Sequence, residues 1–309
     1  MPSARDIKKR IKSVKSTSQI TRAMEAVSAT KMRKSQEFAL RARPYALAGL
    51  EILRNILLRT TALPPLMQKR EIKKSALLVV TSDKGLAGAF NANVLRRSEQ
   101  WIEEQKQADK PHTLILVGKK ARDYFERRNA PIQRSFVGFG DFSTLDETIQ
   151  ISGLVLEDFL ANHYDEIDAV YTHFRTTLKQ ETFLRKILPL EKGSIEEIVA
   201  GIVPEYGRFA DIPSKEGHDH GIFNYEYKFE PNPEEILNEL IPQLVKIKIH
   251  HMILESNASE HSARMVAMKN ASESAEDLMS ELNLVYNKAR QASITRELTE
   301  ITAGADALN

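Results

Sequence analysis

The chain has 309 residues, of which 42% are hydrophobic and 28% charged, with a net charge of +2. That suffices for two modest domains, or for one domain with an extended element, and it is not a disordered composition. The absence of cysteine excludes disulfides, thiolate metal sites and cysteine nucleophiles, and no apolar run approaches the ~20 residues of a membrane-spanning helix.

The small net charge hides an asymmetry. Residues 1–43 carry twelve Lys/Arg and three Asp/Glu, whereas residues 234–309 carry seven and twelve. No helix breaker lies between Pro2 and Pro44, which allows a helix of up to 41 residues, roughly 60 Å long at 1.5 Å per residue. MPSARDIKKRIKSVKSTSQ is basic, serine-containing and acid-poor, as transit peptides are. Its lysines also fall on the helical pattern, and the segment is read as part of the mature helix. A 4-3 spacing picks out Ile7, Ile11, Val14, Ser18, Thr21, Glu25, Ser28, Met32, Ser35, Ala39 and Ala42, a thin seam of small residues. The helix can continue past Pro44 with a kink and stop at Pro64-Pro65.

Between about 71 and 230 the period changes. SALLVVTSD (75–83), HTLILVG (112–118), SFVGF (135–139) and IDAVYTHF (167–174) read as strands. Helix-like runs begin at Ala89, Lys119 and Leu145 between them. This alternation predicts a parallel, Rossmann-like α/β sheet, with TFLRKILPL (182–190) and YEYKFEP (225–231) as antiparallel additions. Residues 191–222, rich in Gly, Pro and charge, read as a surface insertion.

PNPEE (231–235) opens a second long helix, with Pro233 in its first turn and acids behind it. Pro242 should kink it and Gly304 should end it. The 61 residues from Gln243 to Ala303 contain neither glycine nor proline, a span of roughly 90 Å. A 3-4 spacing picks out Leu240, Leu244, Ile247, His251, Leu254, Ala258, His261, Met265, Met268, Ser272, Ala275, Met279, Leu282, Tyr286 and Ala289. Two such helices at the chain ends predict a long antiparallel coiled coil around a central α/β domain. The divisions are 1–70, 71–230 and 231–309.

Candidate chemistry is sparse. TSDKGLAGAFN (81–91) joins a strand to a helix, where α/β folds seat phosphate, but it has neither GxGxxG nor GxxxxGK[ST]. The turn needs glycine in any case, so a structural role is favoured. GHDHG (217–221) offers His218, Asp219 and His220, too few to close a metal site alone. His250 and His251 point to different sides of a helix. No serine stands in GxSxG, and no acid sits in an apolar setting that would raise its pKa. No catalytic, cofactor-binding or metal residues are assigned. The basic first helix has no aromatic residue before Phe38 on which bases could stack, and its lysines spread around the axis. An acidic protein partner suits it better than nucleic acid.

Three blocks carry a family resemblance. RIKSVKSTSQITRAMEAVSATKMRKSQ (10–36) resembles the N-terminal helix of the gamma subunit of bacterial-type F-type ATP synthases. ASEHSARMVAMKNASESAEDLMSELNLVYNKARQASITRELTEI (258–301) resembles that family's C-terminal helix, and TSDKGLAGAFNANV (81–94) the start of its α/β domain. The resemblance implies a non-catalytic rotor shaft that transmits torque between the membrane c-ring and the alpha/beta hexamer. It implies ATP synthesis coupled to proton transport, the ion being set in the membrane ring, with nucleotides bound by the hexamer. The implied partners are the alpha, beta and epsilon subunits and the c-ring, at the cytoplasmic side of the cell membrane, peripheral and without a transmembrane segment. Arg290 and Gln291 match the family pair that hydrogen-bonds a loop of the catalytic ring. Met24 matches a position facing an acidic loop of beta, and Lys31, Arg33 and Lys34 add basic contacts to the same surface. Against the family, residues 191–222 are long for the shorter members, and the cysteine pair of plant chloroplast members is absent. The alternative, from the residues alone, is a self-associating coiled-coil scaffold with an α/β head.

Overall fold

A computed structural model describes residues 4–41, 48–49, 52–53, 55–57, 60, 63–139, 143–177, 179–191 and 230–306. Most of the insertion at 191–222, all of the GHDHG motif, and the strand expected at 225–231 except its last two residues lie outside these residues, as does Pro44.

Helix α1 (Ala4–Arg41) spans the stretch that lacks Gly and Pro. The sheet follows, as β1 (Ser75–Val80), α2 (Phe90–Gln107), β2 (His112–Val117), α3 (Lys119–Glu126), β3 (Ile132–Phe136), α4 (Leu145–Leu160), β4 (Glu166–Phe174) and β5 (Gln180–Leu188). Helix α5 covers the 74 residues Pro233–Asp306. Asn232 caps its start: its side chain accepts from the Glu235 N–H at 2.9 Å and donates to the Glu235 carboxylate at 2.6 Å. Pro242 lies inside α5, which runs through it, and Gly304 does not stop the helix, which continues two residues to Asp306.

The strand order is β3-β2-β1-β4-β5. The first four strands are parallel and β5 pairs antiparallel with β4. Central β1 is buried on both faces, which explains its unbroken apolar run. The third strand lies at Ile132–Phe136, three residues before SFVGF. It is an edge strand, and its exposed Gln133 and Arg134 conceal it from a search for apolar runs.

The chain divides into two compact units, residues 1–28 with 264–309, and residues 29–263, so that both long helices are shared. In the larger unit, α2 and α3 cover one sheet face. Trp101, Val94, Ala121 and Phe125 meet Leu77, Val79, Leu114, Leu116 and Val170 there. On the other face, α4 and the first half of α5 bury Ile151, Val155, Phe159, Ile241, Val245 and Ile249 with Leu78, Ile115 and Ala169. Side chains alternate between faces along each strand, so both layers stand on the same strands.

In the smaller unit, the predicted seam is the buried one. Ile7, Ser18 and Thr21 of α1 and Met268, Ser272 and Ala275 of α5 are buried. The Ser18 and Ser272 hydroxyls face each other at 3.4 Å. Thr21 and Ser28 return their hydroxyls to backbone carbonyls one turn earlier, at 3.1 and 2.7 Å, which removes the penalty of burying them. With Ser18 level with Ser272, antiparallel helices put Ala4 level with Tyr286. Partial burial on α5 ends close by, at Ala289, and every residue from Arg290 to Ala303 is exposed. Arg22 and Glu276 form an ion pair across the seam. Each sits one turn beyond the serines on its own helix, and each side chain tilts back toward its own helix N-terminus, so the two converge.

Candidate functional site

The residues expected to meet partners fall in different places. Within the smaller unit Met24 is half-buried, and Arg290 and Gln291 are exposed beyond the end of the seam. The Ser18–Ser272 pairing sets Met24 level with about residue 266, so the Arg290 pair lies roughly 36 Å farther along α5 at 1.5 Å per residue. Lys31, Arg33 and Lys34 belong to the larger unit. Arg33 and Lys34 are exposed and Lys31 half-buried, and Lys31 and Lys34 interact with neighbouring groups of the chain.

The glycine-containing turn after β1 is knitted together from within. Thr81 Oγ1 donates to the Val117 carbonyl at 3.1 Å and accepts from the Ala121 N–H at 2.9 Å. The Asp83 carboxylate accepts from Lys119 N–H at 2.7 Å and Gly138 N–H at 2.9 Å, and Ser82 O accepts from Lys120 N–H at 3.1 Å. These bonds take up the opening amides of α3, the helix after β2, whereas the turn 81–91 itself opens α2, whose N-cap Ala89 makes no side-chain capping bond. Gly118 has φ +95°, and a Cβ there would lie 2.2 Å from the Thr81 carbonyl oxygen, so only glycine fits. Beside this turn, a cavity of about 520 Å3 opens at the carboxyl ends of β1 and β2, with Asp83, Lys84, Lys119, Arg122 and Glu260 in its wall.

One titratable group escaped the sequence. Asp168 was expected, like every acid, to keep an ordinary pKa, yet it is raised to about 6 by burial, with the Glu166 charge adding to the shift. Its carboxylate accepts from Trp101 Nε1 at 2.9 Å, and that bond and Lys186 pull the other way. The signal was present: an acid set between the apolar residues of IDAVY. The two histidines of α5 do separate as predicted. His250 meets the Thr148 hydroxyl at 3.0 Å, whereas His251 is buried 3.8 Å from Glu255, which also bonds His173 at 2.9 Å. Among the described residues, no group of His, Asp and Glu is arranged to hold a metal ion, and no helix is long and apolar enough to cross a membrane.

The chain thus carries an α/β unit on a mostly parallel five-stranded sheet and a second unit built from two paired long helices. Residues 3–308 match the family model described as ATP synthase. The ATP synthase gamma chain of Pelotomaculum thermopropionicum is 42% identical over 309 residues, covering the whole of both chains. That of Chloroflexus aurantiacus strain J-10-fl is 41% identical over 312 residues, covering all of this chain and 99% of the other. The chain belongs to the gamma-chain family of ATP synthases. Among solved structures, a chain of the Euglena gracilis mitochondrial ATP synthase assembly of OSCP, F1 and c-ring shares the fold. Its TM-score is 0.64 at 20% identity, over 99% of this chain and 94% of that one. A chain of the central stalk and c-ring assembly from Tetrahymena thermophila reaches 0.56 at 22% identity, over 82% and 99%.

Proposed function

We propose that the chain is the central rotor shaft of an ATP synthase, turning inside a ring of alpha and beta subunits and transmitting torque between that ring and a membrane c-ring. The observation that carries this is the tip of α5. Residues 291–303 are helical and exposed throughout, in a chain whose family is that of gamma chains. A shaft tip that must turn in a sleeve gains from having few deep apolar knobs, since burying each would favour one angle by about 1.5–3 kcal/mol. Small and polar residues such as Arg290, Gln291, Ser293 and Thr295 keep the stopping positions close in energy, and the apolar contacts of the tip are limited to a single exposed stripe, Ile294, Leu298 and Ile301. The lopsided shaft then presents a different face to each catalytic subunit and shifts its nucleotide affinity, which is coupling through differential contacts.

In this reading Arg290 and Gln291 hydrogen-bond a loop of the ring, and Met24, Lys31, Arg33 and Lys34 face acidic beta surface. The head meets the epsilon subunit and the c-ring, on the cytoplasmic side of the cell membrane. Catalysis belongs to the beta subunits.

The test is rotation of the assembled complex driven by ATP. Truncation after Asp277 should weaken it strongly, and Arg290→Ala with Gln291→Ala should weaken it more mildly. Full rate and torque from the truncated complex would remove the tip from the mechanism. Co-purification with alpha and beta subunits is expected. A stable homodimer of the isolated chain by light scattering would instead favour a self-associating scaffold.

A further inference from the structure

Four polar residues of α5 lie on one face of the helix: Lys248, Glu255, Ser259 and Ser262. At 100° per residue they fall within about 60° of arc. All four are buried, with 3%, 7%, 0% and 0% of their surface exposed. Every one reaches the β4–β5 hairpin. Lys248 Nζ donates to the Lys186 carbonyl at 2.7 Å. Glu255 Oε1 lies 2.9 Å from His173 Nδ1. Ser259 Oγ donates to the Thr172 carbonyl at 3.2 Å. Ser262 Oγ donates to the Thr177 carbonyl at 2.9 Å and accepts from Gln180 Nε2 at 3.1 Å. The same face turns apolar N-terminal to Lys248, at Ile241 and Leu244, and the flank that carries Met252, Val245, Ile249 and Ile253 packs into the core.

The two kinds of contact do different things. Apolar packing holds the helix to the sheet but has no preferred direction, so a small slide or twist loses little area. A hydrogen bond weakens steeply with misalignment, and a buried group that loses its partner keeps the full desolvation penalty. A row of four residues making such bonds therefore fixes both the rotation of α5 about its axis and its axial position on the hairpin. Burying Lys248 and Glu255 to do this costs more than an apolar stripe would, and register is the best-attested return on that cost. We infer that Lys248, Glu255, Ser259 and Ser262 form a register key that stops α5 from twisting on the β4–β5 hairpin when the shaft is loaded. They are positioning residues for torque transfer, and this rests on the rotor reading above. From residue 263 the same helix continues without a break, so a twist resisted at the key is a twist delivered up the helix.

The experiment uses the whole assembled complex. The variant carries Lys248→Met, Glu255→Gln, Ser259→Ala and Ser262→Ala. Its stall torque and its ions pumped per ATP hydrolysed are measured, with hydrolysis rate and subunit composition as controls. Expected is a fall in stall torque and pumping ratio of about three-fold or more, with hydrolysis within about two-fold of the parent. A second variant keeps the first three changes and adds Gln180→Cys with Ser262→Cys. Because the chain has no cysteine of its own, a short thiol-reactive linker joins helix to hairpin at that point alone, and it should restore torque. Full torque and full pumping in the unlinked variant overturn the inference. So does a loss of torque and assembly together that the linker does not recover, since these residues would then serve folding alone. An unmodified complex that fails to rotate on ATP would sink the rotor reading itself.

Discussion

Helix α5 is one continuous element with two kinds of surface. Between Ile241 and Ser262 it is buried on nearly every side, with Ile241, Val245, Ile249 and Leu254 at 0% exposure. Between Arg290 and Ala303 it is exposed on every side, with Ile294, Leu298 and Ile301 at 45%, 58% and 68%. The first stretch is held by the sheet and α4. Among the described residues none covers the second, so residues with good helix propensity such as Arg290, Gln291 and Glu297 must sustain it. Burial belongs to the surroundings of a helix and not to the helix.

That contrast can be broken by paired substitutions. Ile249→Ala should destabilise the isolated chain by about 2–5 kcal/mol, while Ile294→Ala should change it by less than about 0.5 kcal/mol. Denaturant unfolding of both variants measures the difference, and equal losses would mean that the tip is packed in the free chain. Next in size is Asp168→Asn. An acid whose folded pKa is raised binds its proton more readily in the folded state, so ionised Asp168 costs stability above pH 6. A shift from 3.8 to about 6 corresponds to about 3 kcal/mol as an upper figure. The variant, whose amide oxygen can still accept from Trp101, should be more stable than the parent at pH 7–8, and the gain should vanish by about pH 4.

Smaller effects sharpen the picture of the buried stretch. Burial lowers the His173 pKa, but the hydrogen bond and charge of Glu255 outweigh it, and the net shift is upward. Stability from that pair is complete below the ordinary value of about 6.5 and is lost as pH rises through the raised value. His250 and His251 are lowered by burial, so their contribution is lost as pH falls from about 6.5 toward their folded values. Melting temperature against pH should flatten on its alkaline side in Glu255→Gln, an effect of about 1 kcal/mol. Least of all, Ser18→Ala with Ser272→Ala should shift stability by less than about 0.5 kcal/mol, because both partners of a long hydrogen bond leave together. A larger loss would mean that the small-residue seam depends on that bond.

Much of the fold was legible because its signals are local. The lack of Gly and Pro, the heptad spacing and the PNPEE start identified the long helices, and the described seam residues are buried or half-buried. Apolar runs identified β1, β2 and β4. The edge strand was placed three residues late because edge strands lack that signal. On the candidate site, Arg290, Gln291 and Met24 were readable only through family resemblance: an exposed helix residue looks the same whether or not a partner covers it. The Asp83 brace links Lys119 and Gly138, 36 and 55 residues away. The Trp101–Asp168 pair is separated by 67 residues. No local pattern announces such partners.

By itself the sequence determined that the two ends form long helices, where they begin, and which stripe of each faces the other, because periodicity and breakers act over a few residues. Tertiary structure alone decided which polar groups are buried and what satisfies them: Asp83 at the α3 amides, Asp168 under Trp101, and the row from Lys248 to Ser262 on the β4–β5 hairpin. Those outcomes depend on desolvation and on directional bonds between distant segments, and neither exists until the segments meet.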